Sequence, residues 1–215
     1  MPTELIFRTT DPAVKRISEA DPAMAKLISF VGDYTLAMRT DYFASLVRAI
    51  IGQQISVKAA RTIWERMIAI CEEVKPDKIL NIHDDELRKA GLSRAKIAYI
   101  KDLCEKVISK EVDFLNIDQL DNAAILESLT GVRGVGNWTA EMFLIFSLGR
   151  LNVLAVADAG LRSAVKWLYR LDSLPTKEEM LAQGKAWEPY ETIASLYLWE
   201  AVNRRLVDLD NWQDE

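Results

Sequence analysis

Residues 129–140 read Leu-Thr-Gly-Val-Arg-Gly-Val-Gly-Asn-Trp-Thr-Ala, with three glycines within six positions. Apolar residues at helical spacing precede this stretch from Asn122 and follow it to about Leu148, so the sequence predicts two helices joined by a tight turn. A glycine-rich turn at the start of a helix exposes backbone N–H groups, and the helix dipole favours an anion there. The stretch therefore predicts either a phosphate-binding hairpin, to which Arg133 adds charge, or an ordinary corner between helices.

The rest of the chain also shows helical spacing, and no convincing run of alternating strand residues is present. Capping residues and glycines mark the helix ends. The predicted helices span 12–20, 22–31, 41–52, 56–70, 84–90, 93–107, 122–129, 137–148, 158–169, 176–186 and 188–203. We therefore predict an all-α protein. Short loops between many helices favour a globular helical fold over a regular bundle.

Composition excludes several kinds of chemistry. The chain has 215 residues, half of them apolar, with two Cys and one His. Cys71, Cys104 and His83 are too few for a zinc or iron–sulfur site, and a nucleophile system that depends on histidine is improbable. We expect no cofactor for catalysis, so any chemistry falls to carboxylates, Lys, Tyr or backbone dipoles.

The chain carries 27 Lys and Arg against 32 Asp and Glu, a net charge of -5. This charge argues against a protein that coats nucleic acid by bulk electrostatic attraction, but it does not exclude a local basic patch. No secretory signal is visible, and the apolar stretch Met142–Leu148 is too short to cross a bilayer. We expect a cytoplasmic protein with no membrane partner, associated with the nucleoid if the source is bacterial.

Asp158 precedes a predicted helix within the segment 153–162. Taken alone, it is most simply a helix N-cap. The helix dipole favours the ionised form of a capping carboxylate, and an ionised carboxylate facing a cleft suits cleavage of an N-glycosidic bond, where the sugar acquires positive charge. The two roles are compatible.

Several segments together resemble the helix-hairpin-helix DNA glycosylase superfamily, in particular its 3-methyladenine DNA glycosylase II branch. The resemblance covers about 42–199. The matching residues are Arg48–Ser56 with Ala59-Ala60, Gly91-Leu92-Ser93 with Lys96 and Tyr99-Ile100, Gly136–Ala140, Asp158 with Gly160-Leu161-Arg162, Trp187–Tyr190 and Tyr197–Trp199.

The resemblance implies a two-lobed fold with a central cleft. We expect a central lobe over 39–149, with the helix-hairpin-helix at 122–148, and a second lobe formed by 1–38 and 150–215. In this family the aspartate that matches Asp158 is the catalytic carboxylate.

The resemblance also assigns a base pocket. Trp138 and Trp199 match residues that stack on the base, although tryptophan in an apolar helix more often packs in a core. Met142 stands where a relative has an aromatic pocket residue. Bifunctional members carry a nucleophilic lysine at the position of Trp138, so the resemblance implies a monofunctional enzyme that uses water.

The family grips DNA through the hairpin and an intercalating loop. That loop matches residues 52–55, here called the wedge loop, with Gln54 at the wedge position or simply a hydrogen-bonded turn residue. Hairpin carbonyls of Thr130, Val132 and Val135 would hold a monovalent cation, Na⁺ or K⁺. Expected DNA-binding residues are Gln53, Gln54, Ser56, Lys58, Arg133, Gly134, Gly136, Thr139 and Arg162, with Arg61 and Lys166 as further candidates that are otherwise simply solvated.

The resemblance thus implies a monofunctional glycosylase that flips alkylated purines of the 3-methyladenine type out of duplex DNA and leaves an abasic site. We expect it to act as a monomer on double-stranded DNA. The alternatives are a non-enzymatic helix-hairpin-helix DNA-binding module, a glycosylase for another damaged base, a bifunctional lyase and a helical interaction protein.

Overall fold

The structure is a computed structural model that describes residues 3–209. The elements in chain order are β1 (Glu4–Phe7), α1 (Pro12–Ala20), α2 (Pro22–Val31), β2 (Tyr34–Ala37), α3 (Tyr42–Gly52), α4 (Val57–Cys71), α5 (Pro76–Leu80), α6 (Asp84–Lys89), α7 (Arg94–Ile108), α8 (Asn122–Thr130), α9 (Asn137–Phe146), α10 (Ala159–Leu168), α11 (Lys177–Gly184) and α12 (Glu191–Asn203). The all-α prediction is confirmed, with 63% of the described residues in helices.

The chain divides into two compact units. The central unit is Arg39–Leu148, and the terminal unit combines Met1–Met38 with Gly149–Glu215. The central lobe was expected to end at residue 149, and the central unit ends at residue 148. Gly149 has a positive φ of 67°, and a Cβ there would lie 3.0 Å from the Leu5 side chain, so this glycine packs against the terminal unit.

The central unit is built around α3. Most of its side chains are buried, and it packs on α4, α7 and α9. Asp41 begins the helix, because its Oδ1 accepts the N–H of Ala44 at 2.9 Å. Buried residues lie on several sides of α3, whereas a surface helix has apolar residues on one side only. The sequence of α3 is therefore typical of a core helix. The glycine-rich stretch connects α8 to α9, and these two helices also pack on each other.

The terminal unit has α12 as its core helix. Residues 192–198 of α12 are all buried, and the helix packs on α2 and α10. Beside these helices, β1 and β2 form an antiparallel pair in which Leu5 lies opposite Leu36. The prediction of a chain without strands was wrong here. Each strand has only four residues, which is too short for an alternating pattern to stand out.

The predicted helices are all present, with ends that differ by a few residues. The short helix α5 was missed, since five residues contain little more than one helical turn. Within residues 3–209, no helix combines the length and the apolar character that crossing a bilayer would require.

A buried carboxylate organises the terminal unit. Asp21 is 5% exposed and caps α2, with Oδ1 accepting the N–H groups of Ala23 and Met24 at 3.0 and 3.1 Å. Its Oδ2 accepts Trp187 Nε1 at 3.0 Å, Gln183 Nε2 at 3.1 Å and the Tyr169 hydroxyl. Burial and the bond to this carboxylate raise the pKa of Tyr169 above its ordinary value. Asp21 therefore links α2 to α11 and to the residues that follow α10 and α11.

Replacing Asp21 by Ala should lower the free energy of unfolding by about 3 kcal/mol or more, because several buried donors lose their acceptor at once. Asp121→Ala is the matched control. Asp121 caps α8 from an exposed position through one bond to the Ala124 N–H, so its loss should cost about 1 kcal/mol. Urea unfolding at pH 7 measures both, and equal losses would contradict the role assigned to Asp21.

Candidate active site

The hairpin turn, residues 131–136, connects α8 to α9 in the central unit. Val132 and Val135 are buried and anchor it, and the N–H of Val135 donates to the carbonyl of Val132 at 3.1 Å. Gly134 has a φ of +80°, and a Cβ there would lie 2.2 Å from the ring of Tyr99. Only glycine fits at this position. The turn consequently presents bare backbone at the surface.

Arg133 is held by a carboxylate that the sequence analysis missed. Asp102 of α7 accepts the Arg133 N–H through Oδ2 and the Arg133 Nε through Oδ1, each at 2.8 Å. Partial burial opposes ionisation of Asp102, but the bonds from Arg133 outweigh it and lower the pKa of this carboxyl. A signal was present, since Asp102 is an acidic residue directly before the apolar Leu103 and Cys104.

The ion pair engages only part of the guanidinium. The Arg133 side chain is 63% exposed, and its terminal N–H groups are distinct from the Nε that bonds Asp102. Arg133 can therefore contact a phosphate, as expected, but from a fixed position rather than as a mobile surface charge.

The first turn of α9 follows the hairpin turn directly. The first N–H groups of a helix have no partner within it, so they are available to an anion. Gly136 is the N-cap and is exposed, and Trp138 is 46% exposed. Thr139, expected to contact DNA, is only 6% exposed. Met142, expected in the base pocket, is 8% exposed and packs within the central unit.

The wedge loop leaves α3 and leads into α4. Gln54 is exposed and has a positive φ of 57°. The side-chain amide of Gln53, expected to contact DNA, instead donates to the carbonyl of Gly134 at 2.8 Å. Ser56 caps α4, with its Oγ accepting the N–H of Ala59 at 3.2 Å. The loop is thus tied to the hairpin turn.

The basic residues expected to bind DNA differ in their hydrogen-bond partners and in their position along the helices. Lys58 is exposed in the first turn of α4. Arg61 pairs with Glu65 at 2.8 Å, an exposed contact between successive turns that contributes little. Arg162 donates through Nε to the carbonyl of Pro175 at 2.9 Å, and Lys166 lies in the last turn of α10.

Asp158 lies in the terminal unit and is the N-cap of α10. Its Oδ1 accepts the N–H of Leu161 at 2.7 Å and Nε1 of Trp199 at 2.9 Å. A Cβ at Gly160 would lie 3.3 Å from the same oxygen and 3.7 Å from Cδ1 of Trp199, so a side chain there would crowd this arrangement. The predicted capping role is confirmed. Trp199, expected only as a stacking residue, also orients the carboxylate.

This arrangement suits charge stabilisation. Asp158 is partly exposed, and two N–H donors from different helices fix its orientation. Such a carboxylate can stabilise positive charge and orient a water molecule. Among residues 3–209, no three His, Cys, Asp or Glu side chains are grouped so that they could hold a metal ion.

Comparison with known proteins identifies the family. Residues 47–189, more than half of the chain, match the HhH-GPD superfamily base excision DNA repair protein. The chain belongs to the HhH-GPD superfamily. Both the hairpin turn and Asp158 fall within the matched residues.

Similar HhH-GPD proteins include the DNA-3-methyladenine glycosylase 1 of Schizosaccharomyces pombe, 31% identical over 92% of this chain and 90% of its own length. Among solved structures, a DNA-3-methyladenine glycosidase from Bacillus halodurans is 40% identical over 96% of each chain, with a TM-score of 0.89. A 3-methyladenine DNA glycosylase of Schizosaccharomyces pombe in complex with abasic DNA is 31% identical, over 90% of this chain and 97% of its own, with a TM-score of 0.82.

Gly134→Ala should lower the free energy of unfolding by roughly 2 to 4 kcal/mol, because the new Cβ meets both an unfavourable φ and the Tyr99 ring. Gly136→Ala is the control two residues away. Its Cβ would meet no atom within 4 Å, and its φ of −94° is ordinary, so about 1 kcal/mol or less is expected. Thermal and urea unfolding of both variants checks this difference. Equal stabilities of the two variants would contradict the close packing assigned to Gly134.

Proposed function

We propose that the protein is a monofunctional DNA glycosylase that hydrolyses the N-glycosidic bond of alkylated purines of the 3-methyladenine type in duplex DNA and leaves an abasic site. The observation that carries this proposal is the Asp158 carboxylate, which caps α10 and accepts the indole N–H of Trp199. The relatives named as DNA-3-methyladenine glycosylases support the same substrate class.

Asp158 acts on the sugar. As the base departs, the deoxyribose acquires oxocarbenium character, and a negative charge beside it lowers the barrier. The bonds from Leu161 and Trp199 hold the carboxylate in one orientation, so little reorganisation is needed when the charge develops. The same carboxylate orients and activates the attacking water.

Trp138 accounts for both the reaction type and the substrate. It is the second residue of α9, the position where bifunctional relatives carry their lysine, and an indole forms no Schiff base. Its exposed face can stack on a cationic alkylated purine, and such a contact contributes about 0.5 to 2 kcal/mol. A weak glycosidic bond in the charged purine reduces the need for a strong general acid.

The hairpin turn binds the DNA backbone at the N-terminus of α9, with the exposed side chain of Arg133 at its edge. A monovalent cation, Na⁺ or K⁺, fits beside it. The carbonyls of Thr130, Val132 and Val135 would hold it, and the Val132 carbonyl retains a second lone pair beside its bond from Val135. When bound, the cation would supply positive charge next to a phosphate. The protein acts on duplex DNA as a monomer, since one chain carries all these residues.

Asp158→Asn should reduce single-turnover release of 3-methyladenine from methylated duplex DNA by at least about 100-fold, because the cap remains but the charge is lost. Asp41→Asn is the matched control, since Asp41 caps α3 through the same kind of bond, and its release rate should stay native.

Three results of this comparison would contradict the proposal. Equal release by both variants would refute the role of Asp158. DNA binding by the native protein without release of any methylated base would leave a binding module. Release of a different damaged base alone would move the specificity to another lesion.

Treatment of the protein and abasic DNA with borohydride should trap no covalent adduct, because the reaction uses water rather than an amine of the protein. Endonuclease III, for which a trapped DNA covalent intermediate is known, serves as the positive control. Denaturing gel electrophoresis separates the trapped species. A band that depends on borohydride would establish a lyase and overturn the monofunctional assignment.

A further inference from the structure

A lysine of α7 holds the base of the wedge loop. Lys96 Nζ donates to the carbonyl of Ile51 at 2.8 Å and to the carbonyl of Gln53 at 2.7 Å. The side chain is partly buried, and this burial lowers the pKa of Lys96 from its ordinary value. Ile51 lies in the last turn of α3, where helix carbonyls lack partners and a positive charge is favourable.

The carbonyl of Gln53 is bonded directly to the backbone nitrogen of Gln54. The Gln53 carbonyl belongs to the peptide that leads into Gln54, whose φ of 57° is uncommon for a residue other than glycine. Such a conformation persists when several contacts of the surrounding residues hold it in place. The preceding residue, Gln53, provides such contacts: its carbonyl accepts from Lys96, and its side-chain amide donates to the carbonyl of Gly134 at 2.8 Å.

The same helix supports the hairpin turn. Tyr99 packs beneath Gly134, and Asp102 holds Arg133. Lys96, Tyr99 and Asp102 follow one another at intervals of three along α7. One rigid helix therefore sets the position of the wedge loop relative to the hairpin turn within the central unit.

We propose that Lys96 is a positioning residue for Gln54. It fixes the wedge loop so that Gln54 fills the gap that an extruded nucleotide leaves in the duplex, while the hairpin turn holds the backbone. This inference rests on the proposed function, because only extrusion of a base leaves a gap to be filled. Lys96 itself touches no reacting atom.

The test compares two duplexes that differ in one nucleotide. One carries a tetrahydrofuran analogue of an abasic site and the other is undamaged, and fluorescence anisotropy gives the Kd of each. In Lys96→Met, two carbonyls lose a charged donor, so the preference for the abasic duplex should fall at least about tenfold. The Kd for undamaged DNA should stay within about threefold of the native value, since phosphate contacts carry it.

Lys101→Met is the matched control. Lys101 lies on the same helix and donates to the carbonyl of Ile82 and to Asp84. This variant should keep the native preference, so any general effect of removing a lysine from α7 is measured separately.

A double-mutant cycle separates positioning from simple destabilisation. Gln54→Ala should lose the abasic preference by itself, and adding Lys96→Met should cost little more, because both changes remove the same contact. Additive losses, or a native preference in Lys96→Met, would overturn the inference. If Lys96→Met fails to fold, Lys96→Gln takes its place under the same criteria.

The outcomes keep the two proposals apart. A native protein that prefers the abasic duplex in a Lys96-dependent way but releases no methylated base would refute the enzyme and retain the positioning role. Normal base release together with an abasic preference that does not depend on Lys96 would do the opposite.

Discussion

The bonds between Asp102 and Arg133 are the contacts on which the conformation of the hairpin turn depends. A turn with three glycines has few side chains of its own to restrict it, so its conformation has to be fixed from outside. Asp102 does this by accepting both the N–H and the Nε of Arg133, while Tyr99 closes the space beneath Gly134. The lowered pKa of Asp102 shows that the pairing favours its ionised form.

Two capping aspartates in the terminal unit differ in exposure, and this difference separates a structural role from a chemical one. Asp21 and Asp158 each cap a helix, and each accepts an indole N–H, from Trp187 and Trp199 respectively. Asp21 is 5% exposed, and its two oxygens accept hydrogen bonds from five donors. Its carboxylate therefore stabilises the fold and is not accessible to a substrate. Asp158 remains partly exposed, and its charge can act on a substrate.

The sequence predicts local features well. The helix starts predicted at 41, 56 and 93 lie within one residue of those observed, because a side-chain cap such as that of Ser56 depends only on residues within one turn. Contacts between distant residues could not be predicted in the same way. Nothing in the pattern around Asp158 indicates a bond to a residue 41 positions away. The β1–β2 pair depends on the same kind of distant pairing, so short strands were missed as well.

Arg133 is expected from the sequence to contact a phosphate, and its pairing with Asp102 changes what this side chain can contribute. The neighbouring carboxylate offsets part of the guanidinium charge, and the N–H groups of Gly131, Val132, Arg133 and Val135 already have acceptors within the protein. A phosphate at the turn would therefore depend mainly on the N-terminus of α9. Binding through neutral donors releases fewer counterions than binding through an array of lysines and arginines. Fixed neutral donors of this kind would let a chain with a net charge of -5 bind a polyanion without a large basic patch.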